Sequence, residues 1–237
     1  MSDPAPPART RIKICGVKDL GSAEAAVAAG ADLIGLVFVQ KSPRYIPPAD
    51  AAKIVAALPP GVEPVGLFSD HSAADVLEAA RLSGVHTVQL HGREGPGMSK
   101  QLAPLRVIKA ISFESSHLAE RLQPWREAMT PLTAILIDSP APLMYEQTQG
   151  LTGGSGESFD WSDLARLEQE GVLHDLPPRI LAGGLDPANV GEAIRIVRPY
   201  AVDVSSGVES SRGVKDAGKI AAFCDAVRQA DLAAAGS

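Results

Sequence analysis

Lys13 and Cys15 stand two residues apart in the apolar run Arg11-Ile12-Lys13-Ile14-Cys15, so on a strand they share one face while Ile12 and Ile14 share the other. An unshifted thiol near 8.5 is about 3% ionised at pH 7, and a one-unit depression by a neighbouring ammonium raises that to about 25%. Cys15 is therefore expected to act as a base activated by Lys13. A buried small hydrophobe is the competing and equally weighted reading of a free cysteine. Cys224, in the helical stretch Ala221-Ala222-Phe223-Cys224-Asp225, reads as structural.

Asp138 closes the run Ala134-Ile135-Leu136-Ile137, where a carboxylate has to be solvated, paired or used. To serve as an acid it must keep its proton through desolvation or a nearby like charge. Asp203, in Ala201-Val202-Asp203-Val204, is the candidate neighbour, although it could equally pair with Lys13 or Lys109. The competing role for Asp138 is capping a helix or bracing a loop. Arg44 follows Ser42-Pro43, and the stiff proline presents a planar fork suited to a carboxylate, unless it is simply a solvated loop arginine. His91 and Gln89, in Gln89-Leu90-His91-Gly92, are candidates to line a pocket. The other histidines, 71, 86, 117 and 174, show no metal-ligand spacing.

Two further runs end in small residues that open onto helices, Ile180-Leu181-Ala182-Gly183-Gly184 and Val204-Ser205-Ser206-Gly207. Glycine lets the backbone approach a ligand, and a helix start offers unpaired N–H groups with a positive dipole end. The pattern points to a phosphorylated small molecule.

Short runs rich in Val, Ile and Leu at 11–15, 32–38, 63–68, 86–91, 105–111, 134–138, 179–183 and 201–205 must position these groups. They alternate with helical stretches near 19–29, 47–57, 72–83, 97–103, 116–127, 160–169, 187–197 and 215–231. Eight such units predict an α/β fold, a single (β/α)8 TIM barrel over residues 11–231, with flexible tails at 1–10 and 232–237. An open dinucleotide-binding sheet would carry Gly-x-Gly-x-x-Gly after the first strand, where this chain has Cys15-Gly16-Val17-Lys18. The candidate residues sit at the strand ends, where barrels of this class place their chemistry. The longest connection, 139–157, holds Gly153-Gly154-Ser155-Gly156 and is expected to be a mobile lid, with a plain surface insertion as the alternative.

The 237 residues carry 28 acidic and 22 basic side chains, net −6, and the basic residues form no stripe. Nucleic acid is therefore not expected as a partner. Neither cysteine belongs to a C-x-x-C pair, which argues against disulfides and zinc. No signal-like or membrane-length apolar run occurs, so a cytoplasmic protein without a membrane partner is expected, as a monomer or homodimer.

The ordered set of motifs resembles the phosphoribosylanthranilate isomerase family of tryptophan biosynthesis over nearly the whole chain. Besides the segments above, it includes Val65-Gly66-Leu67-Phe68, Phe159-Asp160-Trp161, and Val208-Glu209 with Gly213, Lys215 and Asp216. The resemblance implies an Amadori rearrangement of N-(5-phosphoribosyl)anthranilate to the 1-deoxyribulose 5-phosphate, with no metal or cofactor. It implies Asp138 as general acid on the ribose ring oxygen, Cys15 as general base on C2, and Arg44 on the anthranilate carboxylate. Gln89, His91 and Asp203 would line the substrate. Gly154, Ser155, Gly156, Gly183, Gly184, Ser205, Ser206 and Gly207 would grip the phosphate. Indole-3-glycerol phosphate synthase, a rival phosphate-binding barrel, would be expected to show a lysine and glutamate set at the strand mouths. A non-catalytic sugar-phosphate sensor is the rival of another class. The segment Leu143–Thr148 and the stretch Ser210-Ser211-Arg212 depart from the family pattern.

Overall fold

A computed structural model describes residues 9–128, 132–140 and 158–236. Eight parallel strands close in sequence order, β1 (Arg11–Cys15), β2 (Leu33–Val37), β3 (Glu63–Phe68), β4 (Thr87–Leu90), β5 (Arg106–Ser112), β6 (Ala134–Asp138), β7 (Arg179–Leu181) and β8 (Ala201–Val204), with β8 pairing back onto β1. The helices described between and after them are α1 (Leu20–Ala28), α2 (Pro48–Ala57), α3 (Ala73–Ser83), α4 (Pro96–Gln101), α5 (Leu118–Glu127), α6 (Trp161–Gln169), α7 (Val190–Val197) and α8 (Ala217–Ala235). The expected barrel is the observed one.

Period two divides each strand between two cores. Leu33, Val65, Ile108, Ala110, Ala134, Leu136, Ile180, Ala182 and Ala201 form one buried cluster, the filling of the barrel. Their strand neighbours, among them Ile14, Ile34, Leu36, Ile135, Ile137 and Val202, join the larger layer beneath the helices. Because both faces are buried, the strands read as almost continuous apolar runs rather than alternating ones. Each such aliphatic side chain contributes about 1.5–3 kcal/mol when fully buried. Helix α7 shows the matching helical rule, burying Val190, Ala193, Ile194 and Val197 on one face.

Parity then decides which polar residues enter the barrel. Lys13 and Cys15 share the face of the filling cluster, as do Gln89, Asp138 and Asp203, and all five are buried. Lys109 has the opposite parity and lies outside, donating to the Gly92 carbonyl at 2.6 Å and to Glu94 at 2.9 Å.

Three boundaries differ from expectation. Residues 9 and 10, read as tail, are anchored: Arg9 pairs with Asp32 at 2.5 Å, and the Thr10 N–H and hydroxyl donate to Asp231 at 2.9 and 2.7 Å. The last helix runs to Ala235, so most of the expected tail at 232–237 continues it, even though Leu232 is exposed. Between β8 and α8 the chain adds a 3-10 turn, Ser206–Val208, and a small antiparallel hairpin, β9 (Glu209–Ser211) and β10 (Val214–Lys215). Strands of two and three residues are too short to leave a periodic signal. Residues 1–8, 129–131, 141–157 and 237, which include Leu143–Thr148 and all of the expected lid at 139–157 except its first two residues, lie outside the described residues.

Candidate active site

Cys15 and Asp138 are the last residues of β1 and β6. Every strand of the barrel is parallel, so both lie at the same rim. β8 and β7 separate their strands, which sets them across the mouth from each other with inward parity.

Cys15 sits in a tight seat. A Cβ added to Gly35 on the neighbouring strand would lie 2.8 Å from its Sγ, so glycine there gives the sulfur its room. The expected activation by Lys13 needs correcting. Lys13 is wholly buried and gives its ammonium to Asp203 Oδ1 at 2.8 Å. Burial alone would lower the Lys13 pKa, yet the charges of Asp203 and Cys15 hold it at about 12. Burial pushes the Cys15 thiol up instead of down, and Asp203 adds to this, against the opposing charges of Lys13 and Lys215. Burial of the sulfur thus works against the thiolate that a base requires.

Asp138 is held at both oxygens. The Ser139 N–H donates to Oδ1 at 2.8 Å, and His91 Nε2 lies 3.0 Å from Oδ2. His91 Nδ1 in turn lies 2.7 Å from Gln89 Nε2. Gln89, His91 and Asp138 therefore form a chain that crosses from β4 to β6. Asp203, weighed as the partner of Asp138, is engaged by Lys13.

Arg44 is buried, not a solvated loop residue. Its Nε and Nη2 donate to Glu209 Oε1 and Oε2 at 2.7 and 3.0 Å, and Glu209 also accepts from the Gly213 N–H at 3.0 Å and from Lys215 Nζ at 2.9 Å. Gly16, at φ +81°, lies directly against this arginine, and a Cβ there would approach Arg44 Cδ to 2.6 Å. The unforeseen hairpin thus closes a charge cluster over the loop after β2. Glu209 and Lys215 were visible only as members of a motif, with no role attached. A lone acid just past a strand mouth was the available signal.

Burial would raise the Glu209 carboxyl, but the hydrogen bond from Arg44 and the charge of Lys215 outweigh it and set it at about 2, against an ordinary value of 4.5. A depressed carboxyl contributes stability that is complete above the unfolded value and is lost as pH falls toward the folded one, here between about pH 5 and 2, with about 3 kcal/mol at stake. Glu209→Gln should accordingly destabilise the fold by about 3–5 kcal/mol at pH 7, because two buried cations lose their counter-ion. Urea unfolding at a series of pH values should show this deficit shrinking toward pH 2. A deficit constant over that range would mean that the charge is not its source.

The glycine and serine turns meet at the same rim. Gly183 and Gly184 take φ of +87° and +60°, and a Cβ on Gly183 would fall 2.4 Å from the Ser139 amide nitrogen. Asn189 Nδ2 donates to the Gly184 carbonyl at 2.8 Å, fixing the turn that leads into α7. Ser205 Oγ donates to the Cys15 carbonyl at 3.1 Å, tying the end of β8 to the end of β1. Ser206 and Gly207 follow in the 3-10 turn. Gly154, Ser155 and Gly156 lie outside the described residues.

Residues 12–226 match the family described as N-(5'phosphoribosyl)anthranilate (PRA) isomerase. The N-(5'-phosphoribosyl)anthranilate isomerase of Acidithiobacillus ferrooxidans is 44% identical over 220 residues, 92% of this chain and 97% of that protein. The crystal structure of phosphoribosyl anthranilate isomerase from Thermotoga maritima superposes with a TM-score of 0.80 at 38% identity, covering 93% of this chain and 99% of that one. A crystal structure of phosphoribosyl anthranilate isomerase in complex with reduced 1-(o-carboxyphenylamino)-1-deoxyribulose 5-phosphate superposes with a TM-score of 0.77 at 37% identity, with the same coverage. With a family match that runs almost the length of the barrel, and relatives matched over nearly their full length, this chain belongs to the N-(5'-phosphoribosyl)anthranilate isomerase family.

Proposed function

We propose that the chain isomerises N-(5'-phosphoribosyl)anthranilate to 1-(2-carboxyphenylamino)-1-deoxyribulose 5-phosphate, with Asp138 as acid and Cys15 as base. The observation that carries this reading is an inward-facing carboxyl and an inward-facing thiol at one rim of the barrel, beside paired glycine and serine turns. Asp138 gives a proton to the ribose ring oxygen as the C1–O bond breaks, and the nitrogen lone pair forms the iminium. Cys15 then takes the C2 proton. The electron pair of that C–H bond flows to nitrogen, and the enolamine tautomerises to the ketone.

The iminium resolves the difficulty of a thiol whose pKa burial has raised. A positive charge beside Sγ favours the thiolate, and the same charge acidifies the C–H to be broken. Ionisation of the base is thus coupled to the arrival of the opened substrate. Gly183, Gly184, Ser205, Ser206 and Gly207, together with Gly154, Ser155 and Gly156, serve as the phosphate grip that fixes C2 against the sulfur. Asp203 acts through Lys13, whose ammonium it holds at 2.8 Å and keeps charged beneath the rim. As a phosphate-binding barrel of this family the chain works on a small molecule, as a monomer or a homodimer. A dimeric form of the Thermotoga maritima protein is known.

Conversion is followed by the loss of anthranilate-type fluorescence when the purified chain meets its substrate. A folded wild-type protein that leaves the signal unchanged overturns the reading. Arg44 is assigned to the anthranilate carboxylate, with its fork oriented by Glu209. Arg44→Ala should therefore raise KM by roughly ten- to a hundredfold and change kcat less, since a charge-assisted contact made equally in ground and transition states is lost. A normal KM in that variant removes Arg44 from the site.

A further inference from the structure

Gln89 sits at an inward position of β4, fully buried, with one end of its amide on His91 and the other, Oε1, without a hydrogen-bond partner among the described residues. A core position that only fills space has no use for an amide with an unsatisfied end, because buried polar groups are nearly always paired. The amide is better understood by what its satisfied end does. Nε2 can only donate, so His91 Nδ1, at 2.7 Å, must be the accepting nitrogen of the ring. The imidazole proton is then on Nε2, 3.0 Å from Asp138 Oδ2.

We propose that Gln89 is a positioning residue that fixes His91 in the Nε2–H tautomer, so that His91 and the Ser139 N–H form a pre-set pair of donors for the carboxylate left when Asp138 releases its proton. The inference rests on Asp138 being the acid of the isomerase reading and adds how that acid is made able to let go. Negative charge develops on the carboxyl as the ring opens. Oδ1 already faces the Ser139 N–H at 2.8 Å, and Oδ2 faces a nitrogen that donates only if Gln89 holds the other one as acceptor. Donors in place before the charge appears need no reorganisation during the step. The orphaned Oε1 suits the same role, because a substrate hydroxyl or N–H donating to it would lock the amide in this orientation when the pocket is filled.

The test begins with 15N spectra of His91 in the wild-type protein, free and with reduced 1-(o-carboxyphenylamino)-1-deoxyribulose 5-phosphate bound. The expected result is an unprotonated Nδ1 and a protonated Nε2. A protonated Nδ1 overturns the proposal without any variant being made. Gln89→Glu then reverses the demand, because an ionised carboxylate can only accept and so draws a proton onto Nδ1. In the neutral ring Nε2 then has no proton to donate, and in the charged ring Asp138 is held ionised with no proton to give. Gln89→Met, matched in volume, controls for packing. Against wild type, kcat should fall about tenfold in Gln89→Met and at least a hundredfold in Gln89→Glu, the scale of losing one pre-set donor, with KM changed far less. Equal losses in the two variants would assign the effect to packing and overturn the proposal, as would a Gln89→Glu protein at the wild-type rate. A wild-type protein with the expected spectrum but no turnover would defeat the isomerase reading itself, and the proposed purpose of the tautomer with it.

Discussion

Replacing Cys15 by alanine is expected to lower kcat by about 10³–10⁴, toward the upper end of what a positioned general base contributes, while the affinity for the reduced product analogue stays within about threefold of wild type. The split follows from geometry. Cys15 ends β1 at the rim, whereas the groups assigned to the phosphate lie on other turns, at 183–184 and 205–207. Alanine fits the seat beside Gly35 without strain, since it only removes the sulfur. Cys15→Ser is the sharper variant. A hydroxyl keeps the shape of the site but ionises far less readily than a thiol, so it should rescue little of the rate. The free protein offers a second measurement. Because burial lifts the Cys15 thiol above its ordinary value, alkylation of the unliganded enzyme at pH 7 should be slow and should accelerate only above the normal thiol range. A rapid reaction of Cys15 at neutral pH would show a thiolate already present without substrate, and the coupling of base ionisation to the iminium would then be wrong.

The barrel was legible because it rests on repetition. Eight apolar runs alternate with eight helical stretches, and each run is buried on both faces, so the period is clear even where the ends of elements shift by a residue or two. The candidate chemical residues were legible for a related reason, as a thiol, a carboxylate or a histidine closing an apolar run stands out. Pairing was not legible. Lys13 and Asp203 are 190 residues apart and meet only because β8 closes onto β1 with those two residues opposite each other. Until that register is known, Lys13 serves Cys15, and Asp203 serves Asp138, equally well on paper. Lys13 still favours the thiolate of Cys15 from that position, but burial of the sulfur outweighs it. The His91 contact with Asp138 likewise crosses from one strand end to another and leaves no local trace. Arg44 illustrates the converse case. Its proline-stiffened loop was visible, but the hairpin that supplies Glu209 and Lys215 was too short to show periodicity, and so the buried state of the arginine was hidden.

Asp138→Asn is expected to reduce kcat by about 10²–10⁴ with little change in KM, because an amide keeps the shape of the carboxyl and can accept one of its two contacts but has no acidic proton for the ring oxygen. Its carbonyl oxygen can still take the Ser139 N–H or the His91 nitrogen, so the fold of the rim should survive. Loss of rate alone would not separate this acid from the base across the mouth. The two act on different bonds, however, and deuterium at C2 of the substrate distinguishes them. When Cys15 is impaired, C2–H cleavage limits turnover and the isotope effect should be fully expressed. When Asp138 is impaired, ring opening limits turnover and the effect should be suppressed, since no C2 bond is breaking in the slow step. His91→Asn should resemble the Asp138 variant in this respect while losing less rate, because it removes a donor to the carboxylate and not the proton itself. An isotope effect that is equally large in the Asp138 and Cys15 variants would place Asp138 in the C–H step, and the assignment of acid to one side of the barrel and base to the other would fail.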